Sequence, residues 1–183
     1  MCWGKIRGFL LEPGKAFRKE KKSSVEDSIK YMVVPALAFS VLAAVLVFSR
    51  QPSPVGLVVW IIIGVPLLIV AALLGGLWLH LWAYALGARR GLQQTLKVGN
   101  YAATPYFLFG WVPWIGILFL VWNLGLEVAG LRALQGLSRG RAAAAVFLSI
   151  IPFIILFAIL VWLLATLGPG LLDRTLGGPR ALY

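Results

Sequence analysis

The sequence predicts an all-α fold, a polytopic transmembrane bundle of five spans with an amphipathic N-terminal interfacial helix. Three observations carry this. Of 183 residues, 61% are hydrophobic and 13% charged, against roughly 45–50% and about 25% in soluble domains. The uncharged residues gather into runs long enough to cross a bilayer. The 17 lysines and arginines fall mostly between alternate runs. One small core cannot hide this much apolar surface, so a water-soluble monomer is excluded.

A helix needs about 20 apolar residues to cross about 30 Å of hydrocarbon. Nineteen uncharged residues separate Lys30 from Arg50, and the Ser23-x-x-Glu26 capping-box pattern starts a helix just upstream, giving a first span over 28–49. Thirty-eight uncharged residues separate Arg50 from Arg89; Pro52 and Pro54 open that stretch and leave 55–87. One helix of this length measures about 50 Å, whereas two crossings need about 40 residues and a turn. The sequence therefore predicts a single long tilted helix, kinked near Pro66 or Gly75-Gly76. Between Lys97 and Glu127 the 29 uncharged residues include Pro105, Gly110 and Pro113. They predict a short third helix over 92–110, a tight Gly110-Trp111-Val112-Pro113 turn, and a fourth helix over 113–136. Pro113 sits in the first turn of that helix, where its missing N–H costs nothing. The last span is 142–167, stopped by Gly168-Pro169-Gly170.

Residues 1–27 form a basic, amphipathic N-terminal segment ahead of the bundle over 28–167, and 168–183 form a short tail. Trp3, Ile6 and Leu10 follow i, i+3, i+7 spacing with Phe9 beside them, and lysines and arginines intervene. Such a segment lies in the headgroup layer; Pro13-Gly14 breaks it, and a second short helix starts there. Five spans with the N-terminus inside place 14 basic residues on the inner side. Only Arg50, Arg174 and Arg180 are left outside. That asymmetry fixes orientation, argues against dual-topology insertion, and favours one helix rather than a hairpin over 55–87. The expected location is a prokaryotic plasma membrane, with a cytoplasmic N-terminus and an outside C-terminus.

The net charge is +11. In a soluble chain this would point to nucleic acid; between membrane spans it points to anionic lipid headgroups. Candidate lipid- or partner-facing bases are Lys5, Arg7, Lys15, Arg89, Arg90, Lys97, Arg139 and Arg141. Cys2 is the only cysteine, which excludes an intrachain disulfide and a multi-cysteine metal site. No cofactor or metal is expected.

Ionisable and polar residues inside spans are the default functional candidates. Glu127 lies five residues before Arg132, one to two turns from the inner surface, and pairing with Arg132, Lys97 or another interfacial base is expected. His80, flanked by Trp78, Trp82 and Tyr84, fits an interfacial aromatic belt. Asn100 and Thr104 share a helix face and, with Tyr101, Tyr106 and Asn123, suit interhelical hydrogen bonding. The stretch from Gly8 to Gly14-Lys15 has one residue too many for a phosphate loop, and Ala16 replaces its Ser or Thr. Neither a Ser-His-Asp arrangement nor G-x-S-x-G occurs, so the chain is not expected to be an enzyme. Gly125, Gly130 and Gly75-Gly76 are expected contacts for helix packing.

Several short segments resemble the Yip1-domain family: Ala88-Arg89-Arg90-Gly91, Lys97-Val98-Gly99-Asn100-Tyr101-Ala102-Ala103-Thr104-Pro105, Trp114-Ile115-Gly116, Gly130-Leu131-Arg132 and Gly136-Leu137-Ser138-Arg139-Gly140-Arg141-Ala142. Leu11-Glu12-Pro13-Gly14-Lys15-Ala16-Phe17 is similar to the family's Pro-x-x-Ala-Phe opening. The resemblance implies five transmembrane helices with a cytoplasmic N-terminus. Eukaryotic members are associated with vesicle trafficking and Rab-type GTPases and carry an extended N-terminus and an Asp-Leu-Tyr-Gly-Pro motif. Neither feature is in this sequence, which resembles a minimal, prokaryotic-type member.

The expected function is that of a non-enzymatic integral membrane protein that organises lipid or recruits a protein partner at the cytoplasmic face, as a monomer or homo-oligomer. The alternative is a small transporter, channel or lipid-translocating protein that uses Glu127, His80, Asn100 and Asn123.

Overall fold

The computed structural model describes residues 2–49 and 53–175. It is helical, with no strand among the described residues. The chain divides into two compact units, residues 1–146 and 147–183. In the first, two short helices, α1 (Cys2–Leu11) and α2 (Pro13–Lys19), run into a 3₁₀ turn (Glu20–Lys22). The long helices α3 (Val25–Phe48) and α4 (Pro54–Ala85) follow, then the short pair α5 (Leu92–Ala102) and α6 (Thr104–Phe109). Next come α7 (Ile115–Gly130), a π turn (Leu131–Gln135) and the start of α8 (Arg139–Thr175). The described part of the second unit is the continuation of α8.

Local chemistry sets the helix ends. The capping box of α3 is one residue later than the sequence pattern suggested. Ser24 Oγ accepts from Asp27 N, and Asp27 Oδ2 accepts from Ser24 N, both at 3.0 Å. Asp27 therefore takes the role expected of Glu26, which instead pairs with Lys30 at 2.7 Å. Ser53 Oγ accepts from Gly56 N, and Pro54 opens α4. Helix α4 is unbroken over 32 residues, about 48 Å. The expected 92–110 helix is two helices, broken at Ala103 ahead of Thr104-Pro105, because proline supplies no backbone N–H to the preceding turn. Pro113 is not in the first turn of α7; it lies in the preceding turn, and Trp114 at φ 66° caps a helix that starts at Ile115. Helix α8 runs through Gly168-Pro169-Gly170 to Thr175 rather than stopping there. A proline costs helix hydrogen bonding and can kink a helix without ending it. Residues 176–183 of the expected tail, and Arg50 and Arg180, lie outside the described residues.

Helix α5 occupies the centre of the first unit, against α3, α4, α7 and the π turn. Met32, Ala36 and Phe107 form one apolar core, extended by Phe39, Val65, Leu68 and Ile69. Close approach between helices needs small residues at particular positions. A Cβ on Gly130 would lie 2.8 Å from Val98 Cγ1 and 2.9 Å from Phe17 Cζ, and one on Gly76 3.1 Å from Leu96 Cδ2. Gly75 and Gly125, expected to do the same, face open space.

Leu37, Val41 and Val45 of α3, Val58, Ile62 and Leu67 of α4, and Leu118 and Val121 of α7 are exposed. Continuous apolar faces of this extent are unsustainable in water and normal in lipid. Among the described residues three helices are long and apolar enough to cross a membrane: Val25–Phe48, Pro54–Ala85 and Ile115–Gln135.

Candidate functional site

The polar helix α5 is also among the most enclosed, with Thr95, Lys97, Asn100 and Tyr101 all buried. Polar groups are stable there only when partnered, and each meets a partner from another element. Lys97 is 1% exposed. Its Nζ donates to the carbonyls of Glu20, Lys21 and Ser23 at 3.0, 3.1 and 2.8 Å. These include orphan carbonyls at the end of the 3₁₀ turn, which attract a cation. Lys97 is thus not the lipid- or partner-facing base that its place among charged residues suggested. All three of its donor protons are held inside the protein.

One turn along α5, Tyr101 Oη donates to Glu20 Oε2 at 2.9 Å, while Lys5 Nζ pairs with Glu20 Oε1 at 2.9 Å. Burial works against the Glu20 charge, but hydrogen bonds from Lys5, Tyr101 and Ser23 and the Lys5 charge together hold its carboxyl below the ordinary value. Tyr101 stacks on Phe9 with ring centroids 4.6 Å apart, and Phe17 and Tyr31 close the cluster. Of the apolar stripe expected on the N-terminal helix, Ile6 and Phe9 are buried within the protein, as is Phe17 of α2, and Leu10 is half-buried. The apolar side chains that α1 leaves exposed include Trp3 and Leu11.

The other polar candidates are tied between helices. Asn100 Nδ2 donates to Ser28 Oγ at 2.9 Å. Thr104 Oγ1 donates to Tyr101 O at 2.7 Å, and it shares a 3.0 Å hydrogen bond with Tyr31 Oη. His80 Nδ1 meets Thr95 Oγ1 at 2.9 Å. Gln135 joins this network: its Nε2 donates to Thr95 Oγ1 and Gly91 O, and its Oε1 accepts from Arg90 N. Glu127 is half-buried and accepts from Asn123 Nδ2 at 3.1 Å. It does not pair with Lys97 or Arg132, and it has different hydrogen-bond partners from His80. Glu20, Ser28, Thr95 and Gln135 were not singled out from sequence. The signal available was a lone carboxylate inside the basic run Lys19–Lys22, and isolated polar residues flanked by apolar ones.

The hydrogen bonds gather the connections at one end of the first unit. Lys21 meets Lys97 and Gln94, Arg90 meets Leu134 and Gln135, and a Cβ on Gly87 would lie 3.4 Å from Arg141 Nη1. The bases at this end differ in freedom. Lys15 pairs with Glu12 at 3.0 Å. Arg89 folds back onto the Tyr84 and Ala88 carbonyls and over the Tyr84 ring, and Arg90 Nη1 donates to Leu134 O. Arg7, Arg139 and Arg141 are exposed.

The family model of the Yip1 domain matches residues 7–163, from α1 into α8 and across the whole basic end. The chain belongs to the Yip1 domain family. Comparison with curated proteins and with solved structures finds no match. The Yip1 domain is a membrane-protein family, and the exposed apolar faces of α3, α4 and α7 suit a membrane location. Within this Yip1 domain the polar residues of α5 act as interhelical fasteners, and Arg7 of α1 and Arg139 and Arg141 in the first turn of α8 are exposed.

Proposed function

We propose that this Yip1 domain is a non-enzymatic integral membrane protein that organises anionic lipid, or recruits partners, at the cytoplasmic face. The observation that carries the reading is the convergence of basic connections at one end of the bundle, with Arg7, Arg139 and Arg141 exposed there. Positive loops face the cytoplasm, so this end is the cytoplasmic one. The chain then crosses five times: α3, α4, the α5–α6 pair, α7 and α8, with the C-terminus outside. The 18 residues from Leu92 to Phe109, which are α5, Ala103 and α6, cover about 27 Å as helix, close to a bilayer's hydrocarbon thickness.

The transporter reading is supported less. Of the residues it needs along a path, Asn100 and His80 hydrogen-bond to neighbouring helices, and Asn123 and Glu127 hydrogen-bond to each other. Energy transfer from the tryptophans to labelled lipid tests the proposal. Proteoliposomes should give stronger transfer to a labelled anionic phospholipid than to a zwitterionic one. Salt, and the variant Arg7→Gln/Arg139→Gln/Arg141→Gln, should reduce the difference. Equal transfer to both lipids counts against it. Cysteine labelling at Ser138 and Tyr183, in a Cys2→Ser background, should report opposite sides of the membrane; labelling on the same side defeats the five-span arrangement.

A further inference from the structure

A small cleft of about 230 Å³ opens where α2 meets the end of α7 and the π turn, lined by Gly14, Arg18, Ala129, Arg132, Ala133 and Leu137. Its two charged residues are both arginines, both exposed, and neither guanidinium has an ion-pair or hydrogen-bond partner among the described residues. This separates them from Lys5, Lys15 and Lys97, which already have partners: Lys5 and Lys15 in ion pairs and Lys97 on backbone carbonyls. No carboxylate lines the cleft. Two unneutralised guanidiniums on one cleft repel each other and are relieved by an anion with several acceptor oxygens, for which their planar forks are suited.

A second observation identifies the kind of anion. Beyond the cleft, the face of α7 that carries Ala129 continues at four-residue spacing to Gly125, where a Cβ would meet nothing within 4 Å, and on to Val121. Val121 is 61% exposed and Leu118, three residues further, 69%. Residues so spaced lie on one helix face. A shallow apolar track therefore leads from the arginine pair along a helix that is long and apolar enough to cross a membrane. A free phosphate has no use for such a track; an acyl chain does.

We infer that this cleft holds one anionic phospholipid, its phosphate between Arg18 and Arg132 and an acyl chain laid along Ala133, Ala129, Gly125 and Val121. The inference rests on the membrane-organising reading and makes it specific, distinguishing one bound lipid from a diffuse cloud around the basic end.

Native mass spectrometry of the full-length protein in detergent tests it, with dioleoyl-phosphatidylglycerol and dioleoyl-phosphatidylcholine as probes. The wild type should retain one phosphatidylglycerol in preference to phosphatidylcholine. Arg18→Gln/Arg132→Gln should lose about thirtyfold in affinity for it, from about fivefold for each basic group near the surface. Arg139→Gln/Arg141→Gln should keep the bound lipid. Gly125→Leu, which fills the track in open space and leaves both arginines in place, should weaken the lipid and leave the weak competition by inorganic phosphate unchanged. If Arg139→Gln/Arg141→Gln abolishes the preference and Arg18→Gln/Arg132→Gln does not, this site is wrong while the broader reading survives. If no variant and no lipid type matters, both fall. Displacement by inorganic phosphate at the same concentration as lipid, with Gly125→Leu unaltered, would make the site one for free phosphate and overturn the inference.

Discussion

Lys97 Nζ donates to Ser23 O at 2.8 Å, joining residues 74 positions apart. With the Glu20 and Lys21 carbonyls it completes a three-point clamp between the N-terminal segment and the central helix. Removing the ammonium leaves the Ser23 carbonyl short of a donor, while the Glu20 carbonyl keeps Ser23 N and Oγ and the Lys21 carbonyl keeps Gln94 Nε2. Buried groups left unsatisfied cost about 1–3 kcal/mol each, and water reaching the turn recovers part of that. Lys97→Met should therefore destabilise the protein by about 1–3 kcal/mol, read as a lower melting temperature in detergent by tryptophan fluorescence. An unchanged melting temperature would show that the clamp contributes nothing.

Glu20 gives the same junction a pH dependence. Its carboxyl titrates below the ordinary value once folded, because the opposing effect of burial is exceeded by the Lys5, Tyr101 and Ser23 hydrogen bonds and the Lys5 charge. A depressed carboxylate pKa stabilises the fold fully above the unfolded value, about 4.3, and that contribution is lost as pH falls through the lower folded value. Amides of α1 and α2 should thus lose hydrogen-exchange protection as pH falls below the unfolded carboxylate value, about 4.3. Glu20→Gln should be less protected at neutral pH and flatter across this window. A window unaffected by Glu20→Gln would assign the loss to other carboxylates.

Gly130 is required for packing rather than backbone conformation. A side chain there meets Val98 on one side and the Phe17 ring on the other at under 3 Å, and Phe17 is fully buried. Overpacking typically costs about 1–3 kcal/mol. Gly130→Val should sit at the upper end of that range, and Gly125→Val, with open space around it, near zero. Thermal unfolding of the two variants side by side checks the contrast; equal melting temperatures would remove the packing argument.

The long helices were legible because uncharged run length is a one-dimensional property: Lys30 to Arg50 and Arg50 to Arg89 bracket α3 and α4 to within a few residues. The N-terminal stripe was legible as apolar, but not what covers it. Phe9 looks the same in sequence whether it meets lipid or the Tyr101 ring. Lys97 was misread for a related reason. Its partners are backbone carbonyls of a 3₁₀ turn far away in sequence, and carbonyls carry no sequence signal. Arg18 and Arg132 were visible as charges, but their shared cleft arises only when α2 packs on the end of α7.

Glu127 is the remaining carboxylate of the central spans, and its neighbour decides its role. Asn123 Nδ2 donates to Glu127 Oε1 at 3.1 Å, while Asn123 Oδ1 is buried without a partner. A glutamine at 127 keeps the accepting oxygen and adds an amide N–H that can reach Asn123 Oδ1 one turn away. Glu127→Gln should therefore be at least as stable as the wild type. Glu127→Leu strands both ends of the Asn123 amide and should cost about 1–3 kcal/mol. Melting temperatures of the two variants separate these outcomes. Proteoliposomes decide the role: a structural carboxylate predicts the same proton and cation leak for wild type and Glu127→Gln. If wild-type liposomes carry a measurable flux that the folded Glu127→Gln protein loses, Glu127 is a transport residue and the structural assignment fails.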